Sequence, residues 1–431
     1  MKQPRRPDAP PRKPRRRWRW HVPPAIVHGA EALEGTEILS EYTGELGLVL
    51  WQAVRDISLW SSITPPESRA GLFGPNAGKR RAASIAAADP DAAIVPALAT
   101  IARILEDPAG TSSEQVMLAC REISQWADGR ESLATALAFA QAAAFACPGN
   151  AAAGLRVGQV ARRRGELARS ETWFRRTIGL ARQARDWASY AEAFDALGNL
   201  YLLRGNLPVA KQLFIRAYRA SKRHSLRPLL ARSLHSLFVI SAHGEQHDET
   251  QALARSAYEA YDAENPRLPT FAHDVAYYWS LRGQFAAALP VFKAVRPHIN
   301  VSVDSLHLDG SIARAAGAMR DREAFDGART EIWRAARANE NPSLVPGVLV
   351  DLARGAAMMG DLAEAEEAAR TAEKLATEGL MTMVAHDAAS VLESLRGERR
   401  AEESRASEVP SEVDGLATDL VRSLDEYATV G

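Results

Sequence analysis

Between residues 191 and 222 the apolar positions fall with a helical period. Phe194, Leu197 and Tyr201 recur every three or four residues, and Ala210, Phe214 and Ala217 repeat the spacing after Gly205-Asn206. Pro208 suits the first turn of the second run. The stretch therefore predicts two antiparallel helices joined by a tight turn. Gly198 lies inside the first helix, where glycine costs roughly 1 kcal/mol against alanine. A close crossing by the second helix, with Ala210 opposite and Phe214 beyond, accounts for it. One such pair cannot bury both of its faces, so it needs neighbours.

The neighbours are visible as punctuation. Turn glycines stand at Gly129, Gly165, Gly205, Gly244, Gly283 and Gly360, with Asp321 in the vacant place, at steps of about 39 residues. About seven repeats are expected over 111–396. Small and aromatic residues follow each turn, such as Phe174, Phe292 and Ala369.

Leu197-Gly198, Tyr201, Ala210, Phe214 and Ala217 resemble the tetratricopeptide repeat pattern at matching offsets. The longer step is similar to that of bacterial regulatory and peptide-sensing members. The resemblance implies an all-α, right-handed solenoid whose first helices line a concave groove. Carried over position by position, the groove residues would be Gln159, Arg162, Glu192, Asp195, Asn199, Asp274, Tyr277, Arg314, Asp351 and Arg354. Asn199 matches the asparagine that holds a peptide backbone in many members. Asp195 stands where chaperone-binding members place a lysine, so a clamp for a C-terminal carboxylate is not expected. Glu192, Asp195 and Asp274 would favour a basic or amine-bearing segment. The implied role is a non-catalytic scaffold or adaptor holding a peptide or protein segment. The alternative is a peptide- or effector-sensing regulator that acts on transcription or signalling through a partner.

Outside the array the pattern changes. Residues 1–30 carry seven prolines, and the first twenty hold nine Lys or Arg against Asp8 alone. This reads as a disordered basic tail, with nonspecific nucleic acid or an anionic surface as its natural contact. Residues 31–110 are expected to form a helical cap. Leu46, Val49, Leu50, Val54, Ile57 and Trp60 mark one helix there, and Trp51 and Trp60 also leave a partner-binding helix open. Ile94, Leu98, Ile101 and Leu105 mark another, over 85–106, ending at Asp107-Pro108. The intervening stretch from Ile63 to Ser84 is expected to be a basic loop. Residues 397–431 read as a charged linker and a short amphipathic helix, with Val413, Leu416, Leu420, Leu424 and Tyr427 on one face, which would fold back on the array as a cap or dock on a partner or in the array's own groove.

Candidate chemistry adds little. GPNAGK, from Gly74 to Lys79, mimics a phosphate loop, but Phe73 and Arg80 stand where that motif needs glycine and a hydroxyl. His243-x-Glu245-x-His247 lacks metalloprotease spacing and falls on a repeat turn. His235 and His273 are lone helical histidines with core or groove roles. Trp173, Trp187, Trp279 and Trp333 are read as core, and Cys120 and Cys147 as reduced thiols. No apolar run reaches the length of a membrane span, and no apolar stretch follows the basic N-terminus. The expectation is a cytoplasmic protein with no cofactor, no metal and no transmembrane segment.

Overall fold

The computed structural model describes residues 35–244, 246–262, 264–299, 302–397 and 410–430. The basic tail, most of the charged linker and Glu245 lie outside the described residues. Among the described residues the chain is helical and contains no strand. It divides into two compact units, Met1–Ala220 and Ser221–Gly431.

The first unit runs α1 (Ile38–Glu41), α2 (Gly44–Ser62), α3 (Ala77–Ala88), α4 (Val95–Ala102), α5 (Ser113–Asp128), α6 (Leu133–Ala146), α7 (Ala151–Arg163), α8 (Leu167–Ala184) and α9 (Trp187–Leu203). α10 (Leu207–Arg223) crosses the division. The second unit holds α11 (Arg227–Ala242), α12 (His247–Ala260), α13 (Leu268–Leu281), α14 (Phe285–Val295), α15 (Ser302–Met319), α16 (Arg322–Arg337), α17 (Val345–Met359), α18 (Leu362–Glu378), α19 (Thr382–Arg396) and α20 (Ser411–Val430).

From α5 onward the helices pair across short turns, and within each unit successive pairs stack. Side-chain caps set several starts. Asn150 accepts from the Ala153 amide, Asp186 from Ser189 and Asp321 from Ala324, at 3.0–3.1 Å. Gly165, Gly205, Gly283 and Gly360 take left-handed φ at the turns, as a tight reversal after a helix requires. Gly129 does not: its φ is −67°, and Glu131 carries the left-handed conformation of that longer turn. Arg320 does so before Asp321.

The pairing is held by glycine against phenylalanine. A Cβ built on Gly198 would stand 2.6 Å from Cδ1 of Phe214, and one on Gly158 would stand 2.6 Å from Cδ1 of Phe174. Both rings are fully buried. The crossing inferred for Gly198 is therefore the one formed, and α7–α8 repeats it at the same residue spacing.

Residues 35–110 pack on α5 and α6. The Glu41 carboxylate accepts from the Ala134 and Thr135 amides at 2.8 Å, which satisfies free donors at the start of α6. Tyr42 stacks on Trp126 with ring centroids 5.3 Å apart. Two sequence expectations need correction here. The helix expected over 85–106 is broken at Asp89-Pro90: Asp89 turns left-handed, proline restricts the residue before it, and α4 begins afresh at Val95. The stretch expected as a loop up to Ser84 is already helical from Ala77, and a Cβ on Gly78 would collide with Glu106. The would-be phosphate loop is thus partly the start of a packed helix.

Trp173 and Trp279 are core residues, whereas Trp187 and Trp333 are half-buried. Cys120 is buried and Cys147 half-buried, both free thiols. Among the described residues no helix is long and apolar enough to cross a membrane.

Candidate functional site

The groove residues inferred from sequence fall into both units, and each unit is taken separately. In the first, Gln159 on α7 donates from Nε2 to Glu192 Oε1 on α9 at 3.2 Å. Asn199 turns back along its own helix and donates to the Asp195 backbone and carboxylate at 3.1 and 3.2 Å. Asp195 is only 2% exposed, so its carboxylate is spent inside the helix packing. Arg162 is half-buried and engaged.

In the second unit the inferred residues converge. Asp274 and Tyr277 on α13 occupy the same places in their helix as Asp351 and Arg354 on α17, one turn apart on one face. All four line a cavity of about 620 Å³. α15 adds Asp304, His307 and Ser311, α19 adds Val384 and Asp387, and the short turn after α14 adds His298 and Ile299. The cavity is therefore built on the first helices of successive pairs. Its size is that of a site for a small ligand or a short peptide stretch.

Its polar side is a connected network. Tyr261 Oη lies 3.3 Å from His235 Nδ1, and His235 Nε2 lies 2.9 Å from Asp274 Oδ2. His273 reaches the other Asp274 oxygen at 3.4 Å and stacks on Tyr277 with rings 13° apart. Burial would raise the Asp274 pKa, but the hydrogen bonds and charge of His235 and His273 outweigh it and hold the carboxyl at about 2. Asp351 faces Arg314 at 3.5 Å and Arg354 at 3.9 Å, and Arg354 reaches Asp387 at 4.0 Å. Burial nevertheless pushes Asp351 above the usual carboxylate range, and it pushes the His307 imidazole and the Tyr277 phenol toward their neutral forms. His273 Nε2 and Arg314 Nε are buried with no hydrogen-bond partner among the described residues.

Of the residues inferred from sequence, Asp274, Tyr277, Asp351 and Arg354 line the cavity and Arg314 stands beside Asp351, whereas His298, Asp304, His307 and Asp387 line it without having been inferred. His273, read only as a lone helical histidine, is part of the wall. His243 and His247 bond Val239 O and Tyr278 Oη at 2.8 and 3.1 Å. No cluster of three or more metal-ligating side chains occurs among the described residues.

Behind the wall, Asp309 on α15 is 3% exposed and paired with Arg296. Burial pushes its carboxyl up to about 6, against the pull of Arg296. The folded chain thus keeps a proton that the unfolded chain releases near pH 3.8. This group favours folding below that pH, and the contribution is lost as the pH rises through about 6. Asp309→Asn keeps an acceptor for Arg296 without the buried charge. It should raise stability at pH 8 by on the order of 2 kcal/mol and give no gain at pH 4, in paired thermal melts.

Residues 150–223 match the family model described as tetratricopeptide repeat. No curated protein sequence matches the chain. Similar solved structures include the apo form of RapI, at 13% identity and TM-score 0.47, covering 60% of this chain and 97% of that one. A second is the Rap conjugation gene regulator of plasmid pLS20 in complex with the Phr* peptide, at 11% identity and TM-score 0.45, covering 77% and 92%. A third is the tetratricopeptide repeat domain of P58(IPK), at 12% identity and TM-score 0.22, covering 78% and 99%. The segment from α7 to α10 consists of tetratricopeptide repeats, and the resemblance read at Leu197-Gly198 and Phe214 holds there.

Proposed function

We propose that this chain is a non-catalytic, cytoplasmic interaction scaffold that holds a short peptide segment in the cavity of the second unit. The observation that carries the reading is the convergence of Asp274, Tyr277, Asp351 and Arg354, from two helices of equivalent register, on one cavity. The carboxylates of Asp274, Asp304, Asp351 and Asp387 line it, faced by the guanidiniums of Arg354 in the lining and Arg314 beside Asp351. Their excess selects a basic or amine-bearing segment. The stacked rings of His273 and Tyr277 offer a flat face to an apolar or cationic side chain. Gln159, Arg162, Glu192 and Asn199 form a second polar surface, and residues 1–30 supply a separate nonspecific contact with nucleic acid or an anionic surface.

The test is selection from a displayed random dodecapeptide library on the full chain, followed by titration of the recovered peptides. Peptides rich in Lys or Arg are expected. Tyr277→Ala and Asp387→Asn should each weaken them about tenfold, since a stacked or charge-assisted contact contributes on the order of 1–2 kcal/mol. Glu367→Lys, exposed on α18 and outside the cavity, should leave them unchanged. Recovery of no peptide sensitive to the cavity substitutions refutes the reading. Nuclease treatment in a pull-down with and without residues 1–30 separates any nucleic-acid contact from it.

A further inference from the structure

α20 is far in sequence from the helices it covers. Its apolar face of Val413, Leu416, Leu420 and Leu424 is buried, and it packs on α12, α13 and α14. Polar contacts fix its register. Arg255 Nη1 lies 2.6 Å from Asp419 Oδ2, and Tyr258 Oη donates to the Asp419 carbonyl at 3.2 Å and meets Ser423 Oγ at 2.9 Å. One turn further on, the Tyr427 ring meets the His298 ring edge to face, with centroids 5.1 Å apart. His298 lines the cavity. It sits in the single turn Arg296–His298, which the Arg296–Asp309 pair ties to α15.

One residue thus presents to the cavity and packs against the C-terminal helix. We propose that Tyr427 and His298 are positioning residues of the cavity, and that docking of α20 and occupancy of the cavity are linked through their contact. This rests on reading the cavity as a ligand site. A group that enters the cavity and fixes or shifts His298 changes the support of Tyr427. By linkage, release of α20 changes the affinity of the cavity by the same factor. The signal needs no rearrangement of the array, because the shared element is one turn of chain.

The linkage is testable with a covalent occupant in place of the natural ligand. Thr270 lines the cavity at the exposed start of α13. Full-length Thr270→Cys in a Cys147→Ser background is labelled with N-benzylmaleimide, and amide exchange over 411–427 is followed by mass spectrometry. We expect labelling to change exchange there at least fivefold. Tyr427→Ala in the same chain should reduce the change to under twofold, with labelling still complete. The same label on Glu367→Cys, exposed on α18, should have no effect. Unaltered exchange after complete labelling of Thr270→Cys overturns the proposal, and so does an undiminished change in Tyr427→Ala. The adduct bypasses the unknown ligand. Failure of the peptide selection therefore refutes the peptide reading and leaves the linkage standing, and failure here removes the linkage alone.

Discussion

Gly355→Leu is expected to cost the second unit about 3–5 kcal/mol, a large share of a typical domain's margin of roughly 5–15 kcal/mol. Gly355 on α17 and Gly317 on α15 meet where the two helices cross backbone to backbone. A Cβ on Gly355 would overlap the Ala313 carbonyl oxygen, stand 2.7 Å from its carbon and approach Arg314 Cα to 3.1 Å. No rotamer change relieves a clash with main chain, so the helices must separate. They carry His307 and Ser311 on one side of the cavity and Asp351 and Arg354 on the other. Separation would also part Arg314 from Asp351, now 3.5 Å apart, and leave the half-buried Arg314 guanidinium without that partner. Gly198→Leu is the milder comparison, because its obstacle is the Phe214 side chain, which can shift. It should cost about 1–3 kcal/mol. Urea melts of both variants test the ranking. A Gly355→Leu chain as stable as Gly198→Leu would mean that α15 and α17 do not cross at these glycines.

The two glycine sites also show what the sequence made legible. Gly198 and Phe214 belong to one hairpin, so their spacing exposes the contact. Gly317 and Gly355 lie in different hairpins, and no local pattern links them. The cavity divides in the same way. Asp274, Tyr277, Asp351 and Arg354 were found because they occupy equivalent places on first helices. His298 was missed because it lies on a turn outside that register, Asp304 because it sits in the first turn of α15, and Asp387 because α19 follows the last of the turn glycines. Asp195 had the right helix position, but Asn199 one turn on bonds it and packing buries it, a competition that composition does not display. In the N-terminal region the apolar spacing of Ile94 and Leu98 was real. It carried no information on the break at Pro90, which depends on backbone sterics. The self-docking face of the C-terminal helix was readable. Its seat on α12 to α14, 164 residues away at the Arg255–Asp419 pair, was not.

Trp60→Ala is the second substitution expected to have a large effect, about 3–5 kcal/mol on the first unit. Trp60 on α2 is fully buried, and its indole Nε1 donates to the Pro108 carbonyl at 2.6 Å. The Arg69 guanidinium lies 4.0 Å from the ring centre, and Arg69 Nε donates to the Ile63 carbonyl at 3.0 Å. Truncation therefore opens a cavity, strips an acceptor of its donor and leaves the 5% exposed Arg69 without its aromatic support. Trp60→Phe keeps most of the apolar area and loses the hydrogen bond, so about 1–2 kcal/mol is expected. This burial removes Trp60 alone of the two α2 indoles from contact with a partner. An indole sealed against Pro108 and Arg69 is unavailable to a partner, whereas Trp51 is half-buried with Arg55 5.1 Å from its ring centre. Amide exchange gives the sharper readout. If residues 35–110 and α5–α6 form one cooperative body, Trp60→Ala should raise exchange in both, because Glu41 and Tyr42 tie them together. Loosening confined to residues 35–110 would instead make that region a separately stable attachment to the array.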